Sequence, residues 1–326
     1  MNLVLNTFGT SLQKENDMFL VLHSDGKQLI SPDKVKSISI SKGARISSDA
    51  ALLALEHEID VLFVDNSGKP VGRLWSVKYG SISTIRRNQL NFISSPKALE
   101  WIRDIISEKM ENQVALLLSV NTYKPELKET VNQAIRKIES YVTKVKAVKA
   151  ESVRDAAPTF RGWEGASSRV YFETISCFMP EGYQFKQRTQ HPAADIFNCL
   201  LNYGYGILYG KIEGTMIKAG IDPYVGVFHR DEYNRPVLVY DVIERYRVWI
   251  DYIVFGLCLQ KVINEDCFTI KPDGSYWLEA NGKRVLIQSV NDYMEEVVNI
   301  SGTERSRETH IQLYASALAQ MFLKFQ

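Results

Sequence analysis

Ile85-Arg-Arg-Asn-Gln-Leu-Asn-Phe-Ile-Ser-Ser-Pro96 is where the apolar period of the chain changes from that of strands to that of helices. It ends in Ser95-Pro96, a helix N-cap residue followed by proline at the first helical position. Proline's missing N–H costs nothing there, so a helix should run on towards Ser119. Upstream, Phe19-Leu-Val-Leu-His23, Ser24-Asp-Gly-Lys27 and Gln28-Leu-Ile30 read as strand, turn and strand. Val35-Lys-Ser-Ile-Ser-Ile40 alternates as a half-buried strand does, and a short helix is expected at Asp49 to Glu58, capped by Ser47 or Ser48. Val61-Leu-Phe-Val64, Asn66-Ser-Gly68 and Val71-Gly-Arg-Leu74 make a second hairpin. Downstream, Lys124-Pro125 opens a helix through Ile135, Ile138 and Val142. Helical patterns recur at Gly165 to Phe178, Ala193 to Ala219, Val237 to Leu259 and Tyr293 to the C-terminus. The expected fold is α+β: a small β-rich N-terminal domain over 1–83, then a larger all-α domain over 84–326.

The bulk numbers permit this and exclude little. A chain of 326 residues, 45% hydrophobic and 24% charged, can bury a sizeable core. Thirty-nine basic against thirty-eight acidic residues leave a formal charge of +1, which names no partner. The N-terminus lacks a signal-peptide pattern, and the longest apolar run, Tyr252 to Leu259, is far short of the ~20 residues of a membrane span. Cys177, Cys199, Cys258 and Cys267 form no Cys-x-x-Cys pair and read as inert buried thiols in a reducing, cytoplasmic setting. Met1 to Ser83 carries nine basic and nine acidic residues, whereas Arg136 to Arg161 carries seven basic against three acidic. Lys137 with Lys144, and Lys146 with Lys149, should share helix faces. Such a stripe is either a solvated face or a phosphate-binding one.

Three segments hold candidate chemistry. In Gly162-Trp-Glu-Gly165, Glu164 sits between glycines, Gly162 and Gly165, at an expected helix start. In Gly220-Ile-Asp-Pro-Tyr-Val-Gly-Val-Phe-His229, the histidine follows a loop bearing proline and glycine, placed to face a cleft. In Pro236-Val-Leu-Val-Tyr-Asp-Val-Ile-Glu-Arg-Tyr-Arg247, Asp241 and Glu244 are spaced i, i+3 on one helix face. Each also has an ordinary explanation. A carboxylate at a helix start meets the macrodipole, a lone histidine is commonly a satisfied polar group, and Asp241 and Glu244 can pair with Arg245 or Arg247. Together, carboxylates and one imidazole suit Mg²⁺ or Mn²⁺ and phosphodiester chemistry. Phosphate-loop, Gly-x-Ser-x-Gly and His-Glu-x-x-His signatures are missing, and the run Asn202-Tyr-Gly-Tyr-Gly206 through Gly210 reads as close helix packing.

At these segments the sequence resembles the CRISPR-associated integrase family (CRISPR-associated protein one, the spacer-acquisition endonuclease). Gly162-x-Glu164-Gly165 with Arg169-x-Tyr171-Phe172, Asn202 to Gly210, Ala219 to His229 and Leu238 to Arg247 carry the likeness in order. The resemblance implies metal ligands Glu164, His229 and Asp241, with Glu244 close by, and Mg²⁺ or Mn²⁺ as the ion. It implies a DNA integrase and endonuclease of CRISPR adaptation that inserts captured fragments into the array by transesterification. It also implies a homodimer formed through the β-rich half and a small ferredoxin-like partner, with Lys144, Lys146, Lys149, Arg161, Arg230 and Arg245 candidate DNA contacts. Ser167-Ser168 and Arg245 depart from the family's pattern without touching a ligand. Read from the residues alone, a small-phosphoester hydrolase or a non-catalytic DNA scaffold stays open.

Overall fold

The computed structural model describes the chain except residues 25, 36, 65–69, 75–81, 191, 230–234 and 326. It divides into two compact units, Met1–Ile82 and Ser83–Gln326.

The N-terminal unit holds β1 (Asn2–Leu5), β2 (Ser11–Glu15), β3 (Met18–His23), β4 (Gly26–Ile30), β5 (Ser37–Ser41), β6 (Arg45–Ile46), α1 (Ser48–Glu56), β7 (Asp60–Val64) and β8 (Pro70–Arg73). Both expected hairpins form: β3 pairs antiparallel with β4, and β7 with β8. The Asn66-Ser-Gly68 turn lies outside the described residues. The expected alternation of β5 buries Ile38 and Ile40, and Ser47 caps α1 by accepting a 3.2 Å hydrogen bond from the Ala50 amide. Local patterns gave no sign of β1, β2 and β6. Nor could they reveal that β1, β5 and β7 run parallel in the order β1-β5-β7-β8, beside a second sheet ordered β4-β3-β2-β6. Parallel neighbours are joined by crossovers, so no turn between them marks the pairing.

The second unit contains α2 (Ile82–Ile93), α3 (Pro96–Val120), α4 (Lys128–Lys146), α5 (Val153–Phe178), α6 (Ile196–Lys218), α7 (Val237–Ile243), α8 (Arg247–Leu259), β9 (Phe268–Ile270), β10 (Tyr276–Leu278), α9 (Ala280–Glu295), β11 (Val297–Ile300), β12 (Thr303–Ser306) and α10 (Arg307–Lys324). Its core is one cluster in which Phe92, Phe160, Tyr171, Phe178, Phe197 and Phe322 are fully buried. Among the described residues no helix is long and apolar enough to cross a membrane.

Four expectations are corrected here. The unit is not all-α, because two hairpins interrupt it. Lys271-Pro-Asp-Gly-Ser275 turns β9 into β10 with Gly274 at φ 80°, and Ser301-Gly302, both at positive φ, turn β11 into β12. The C-terminal helical pattern is accordingly two helices with a hairpin between them, not one from Tyr293 onward. Helix α5 begins at Val153, twelve residues before Gly165, where Ser152 Oγ accepts from the Asp155 amide at 3.3 Å; Pro158 lies inside the helix past its first turn and cannot donate to the Arg154 carbonyl. Glu164 therefore lies mid-helix, away from the N-terminal dipole. Finally, the pattern from Val237 to Leu259 breaks at Glu244-Arg245-Tyr246 into α7 and α8.

The small-residue run of α6 does serve packing at Gly204, where a Cβ would stand 2.6 Å from Ile250 Cγ2 of α8; at Gly206 there is open space. Cys199, Cys258 and Cys267 are buried as expected, whereas Cys177 is exposed.

Candidate active site

Helix α3 is the hub of the site. Its buried stripe runs Ile102, Ile105, Ile106, Lys109, Met110, Gln113, Leu116 and Leu117, a helical period in which one position is a lysine. Lys109 Nζ hydrogen-bonds Glu164 Oε1 of α5 and stands 2.6 Å from Glu244 Oε2 at the end of α7. Burial works against its charge, but Glu164 and Glu244 outweigh it and hold the ammonium's pKa above the ordinary value. Arg247 Nε, on the first turn of α8, donates to Glu244 Oε1 at 2.8 Å. Burial alone would raise the Glu244 pKa; Arg247 and Lys109 instead hold it well below the usual carboxylate range. Both oxygens of the buried Glu244 carboxylate are thus engaged by cations, Oε1 by Arg247 and Oε2 by Lys109.

The histidine arrives by a separate route. Helix α6 ends with Gly220 at φ 83°, a left-handed cap with the Ile221 amide bonded to the Met216 carbonyl. The loop that follows is held from three sides. Gln89 of α2 donates to the Asp222 and Val225 carbonyls at 2.8 and 3.0 Å. Arg161 of α5 donates to the Phe228 carbonyl at 3.3 Å and stacks on the Phe228 ring. Asp241 of α7, 0% exposed, accepts from the Val227, Phe228 and His229 amides at 2.7, 3.1 and 3.1 Å. Only glycine fits at 226, since a Cβ there would be 2.5 Å from the His229 carbonyl oxygen.

Asp241 Oδ1 also lies 2.7 Å from His229 Nδ1. A carboxylate can only accept, so Nδ1 carries the hydrogen and a neutral ring keeps its Nε2 lone pair. Burial lowers the His229 pKa, but the hydrogen bond and charge of Asp241, with the charges of Glu244 and Glu164, raise it overall.

Asp241 and Glu244 thus take different partners although the backbone between them is helical throughout, with Glu244 still at φ −57° and ψ −31°. Asp241 grips the histidine loop, and Glu244 turns to Lys109 and Arg247. Of the arginine pairings open at the sequence level, Glu244 takes Arg247 and Asp241 takes neither. Among the described residues, no three of the His, Cys, Asp and Glu side chains stand together as a ready ligand set.

The candidate DNA contacts are scattered. Arg161 is spent on the Phe228 loop, and Arg245 pairs with Glu108 at 2.8 Å and stacks on Tyr314. Lys146 pairs with Glu111 at 2.6 Å, and Lys144 is exposed over the Tyr141 ring. Lys149 lies beyond the end of α4, so it does not share a helix face with Lys146. Arg230 falls outside the described residues. Sequence reasoning missed Lys109 and Gln89 as members of the site and offered Arg247 only as a pairing partner; a charged residue on a mostly apolar helical stripe was the signal for Lys109.

Behind Arg247, which stacks on Tyr205, lies the buried Asp251, accepting from Tyr205 Oη and, at 3.0 Å, from Tyr171 Oη. Burial pushes the Asp251 pKa up to about 6, against the two hydroxyls, Arg247 and Arg188. A folded-state pKa above the unfolded value of about 3.9 means that the folded protein holds this proton more tightly. Its stabilisation is complete below about pH 4 and lost as pH rises through about 6, a change of roughly 3 kcal/mol. Asp251→Asn should remove that component. Urea unfolding at pH 4.5 and 7.5 should show the variant gaining on the parent protein at the higher pH; an equal difference at both would contradict it.

Comparison with known proteins agrees with this architecture. The family described as CRISPR associated protein Cas1 matches residues 3–292. A relative from Archaeoglobus fulgidus, named CRISPR-associated endonuclease Cas1 1, is 32% identical over 329 residues, covering 97% of this chain and 94% of its own length. CRISPR-associated endonuclease Cas1 2 of Saccharolobus solfataricus is 29% identical over 300 residues, covering 91% and 85%. Among solved structures, a CAS1 protein from Thermotoga maritima shares the fold with a TM-score of 0.74 at 19% identity, covering 100% of this chain and 98% of that one. A casposase bound to integration product shares it with a TM-score of 0.69 at 21% identity, covering 100% and 96%. With the family match spanning residues 3–292 and a relative 32% identical over 97% of the chain, the chain belongs to the family of CRISPR associated protein Cas1.

Proposed function

We propose that this chain is a metal-dependent DNA integrase and endonuclease of CRISPR adaptation, which joins captured DNA fragments to the CRISPR array by transesterification. The carrying observation is two carboxylates, the half-buried Glu164 and the buried Glu244, converging on the single ammonium of Lys109, with His229 held by Asp241 through Nδ1 so that Nε2 keeps its lone pair. Two carboxylates and an imidazole fit Mg²⁺ or Mn²⁺ in kind.

On this reading Glu164, His229 and Glu244 are the ligands. Asp241, which the family resemblance implied as the third, is assigned to holding the His229 tautomer and loop, because both of its oxygens are engaged by the loop amides and the His229 ring and it is wholly buried. The bound ion would polarise the phosphate and lower the pKa of an attacking 3′-hydroxyl or water. The protein's own share is orientation and charge. Asp241 keeps Nδ1 protonated and Nε2 available, as carboxylates behind metal-binding histidines do. Arg247 balances Glu244 from the side of the apolar core. The exposed Lys144 and Lys146 are positive charges available to a DNA backbone. We assign the chain the homodimer and the small ferredoxin-like partner implied by its family.

The test is strand transfer of a labelled fragment with a free 3′-hydroxyl into a supercoiled plasmid carrying the array, in Mn²⁺, in Mg²⁺ and in chelator. Covalent joining with either ion and none in chelator is expected. Turnover of small phosphoesters without any DNA joining would overturn the reading in favour of a hydrolase, and DNA binding without chemistry in favour of a scaffold.

A further inference from the structure

Lys109 is the one feature of the site that the proposed chemistry leaves unexplained. Its ammonium is nearly buried and reaches both Glu164 and Glu244, the two carboxylates assigned to the metal. An ammonium and a divalent ion a few ångströms apart repel strongly in such a poorly solvated place, and they require the same oxygens. Without any cation between them the two carboxylates would repel each other, with Arg247 on Glu244 Oε1 as the nearby counter-charge.

We infer that Lys109 is a built-in placeholder cation, which holds Glu164 and Glu244 together in the metal-free protein and is displaced when the metal loads. Lysine suits such a part better than arginine. Its charge is a compact point on a flexible four-carbon stem, so it can leave by rotating about its own bonds, with α3 unmoved. The chain thereby keeps a preformed acidic site in the absence of metal, at the cost of metal affinity. This inference rests on the proposed metal site and adds to it a competition that the ligand assignment alone does not require.

Two measurements on the full-length, DNA-free protein test it. In the first, lysine reactivity towards an amine-acylating reagent is followed by peptide mass spectrometry, with and without saturating Mn²⁺. Lys109 should be protected without Mn²⁺ and become several-fold more reactive with it, while the exposed Lys144 and Lys146 stay unchanged. Unchanged or deeper protection of Lys109 on binding Mn²⁺ overturns the inference. In the second, Mn²⁺ affinity is measured by calorimetry for Lys109→Met, which keeps length and removes charge. Tighter binding, on the order of ten-fold or more, is expected, with a lower unfolding temperature in chelator and a larger upward shift on adding Mn²⁺ than the parent shows. A variant that binds Mn²⁺ no more tightly than the parent counts against competition. Should Lys109→Met fail to fold, the reactivity measurement decides alone, since it needs no variant. Absence of any Mn²⁺ binding by the parent protein would remove the metal site itself and this inference with it. Binding with Lys109 still protected would remove only the inference.

Discussion

Glu244→Gln is expected to abolish strand transfer by several orders of magnitude and to bring Mn²⁺ binding below detection. The substitution keeps the shape of the side chain while removing the charge and one anionic oxygen of a ligand. The same change removes half of the negative charge that Lys109 grips and the charge opposite Arg247, though one oxygen can still accept from Arg247 Nε. Stability should therefore fall too, by up to about 3–5 kcal/mol, as when one member of a buried ion pair is lost. Folding has to be verified for each sample by its unfolding transition, and the deciding readouts are metal and DNA affinity. DNA binding in chelator should hold steady or rise, because one carboxylate fewer repels the phosphate. Glu164→Gln should behave alike, since Glu164 meets Glu244 at the same ammonium. If Glu244→Gln retained Mn²⁺ affinity, or regained full activity at high Mn²⁺, Glu244 would not be a ligand.

The candidate site was legible in part, and the limits have physical causes. Glu164, His229, Asp241 and Glu244 could be picked out because each sits in a segment with its own signal: glycines around Glu164, a Pro- and Gly-bearing loop before His229, apolar company around the last two. Their division of labour could not. Spacing i, i+3 sets Asp241 and Glu244 along one run of helical backbone, Glu244 included. Their separate roles come from partners far away in sequence, the amides of Val227 to His229 for Asp241 and Lys109 for Glu244, which spacing cannot show. Lys109 itself was hidden because long-range pairing leaves no local trace, although its place on the apolar stripe of α3 was there to be read. The hairpins of the N-terminal unit were visible because their turns are short and local, whereas the parallel pairing of β1, β5 and β7 was not. Of the basic stripe, Lys137 and Lys144 do lie exposed seven residues apart on α4, but Lys149 does not continue it because α4 ends at Lys146.

Asp241 offers the sharpest contrast to Glu244, and its substitutions should act first on structure. Its carboxylate is the common acceptor for three successive backbone amides and the His229 ring, at a site with no solvent exposure. Truncation to alanine strands three donors where water cannot replace the acceptor, and each buried unsatisfied group costs about 1–3 kcal/mol. The loop can relieve that cost only by opening, so Asp241→Ala should lose about 3–5 kcal/mol or free the segment from Val227 to His229. Hydrogen exchange by mass spectrometry should show those amides losing protection, while Phe160 and its neighbours on α5 keep theirs. Asp241→Asn retains one acceptor oxygen and so should keep much of the loop, but its amide nitrogen cannot accept, and the charge that fixes the imidazole tautomer is gone. For this variant Mn²⁺ affinity should fall roughly 10–100-fold, the range seen when a carboxylate behind a metal-binding histidine is removed. Raising Mn²⁺ should then recover much of its strand transfer, which it cannot do for Glu244→Gln. Loop amides still protected in Asp241→Ala, or an Asp241→Asn defect that no Mn²⁺ concentration relieves, would return Asp241 to the ligand set and displace Glu244 from it.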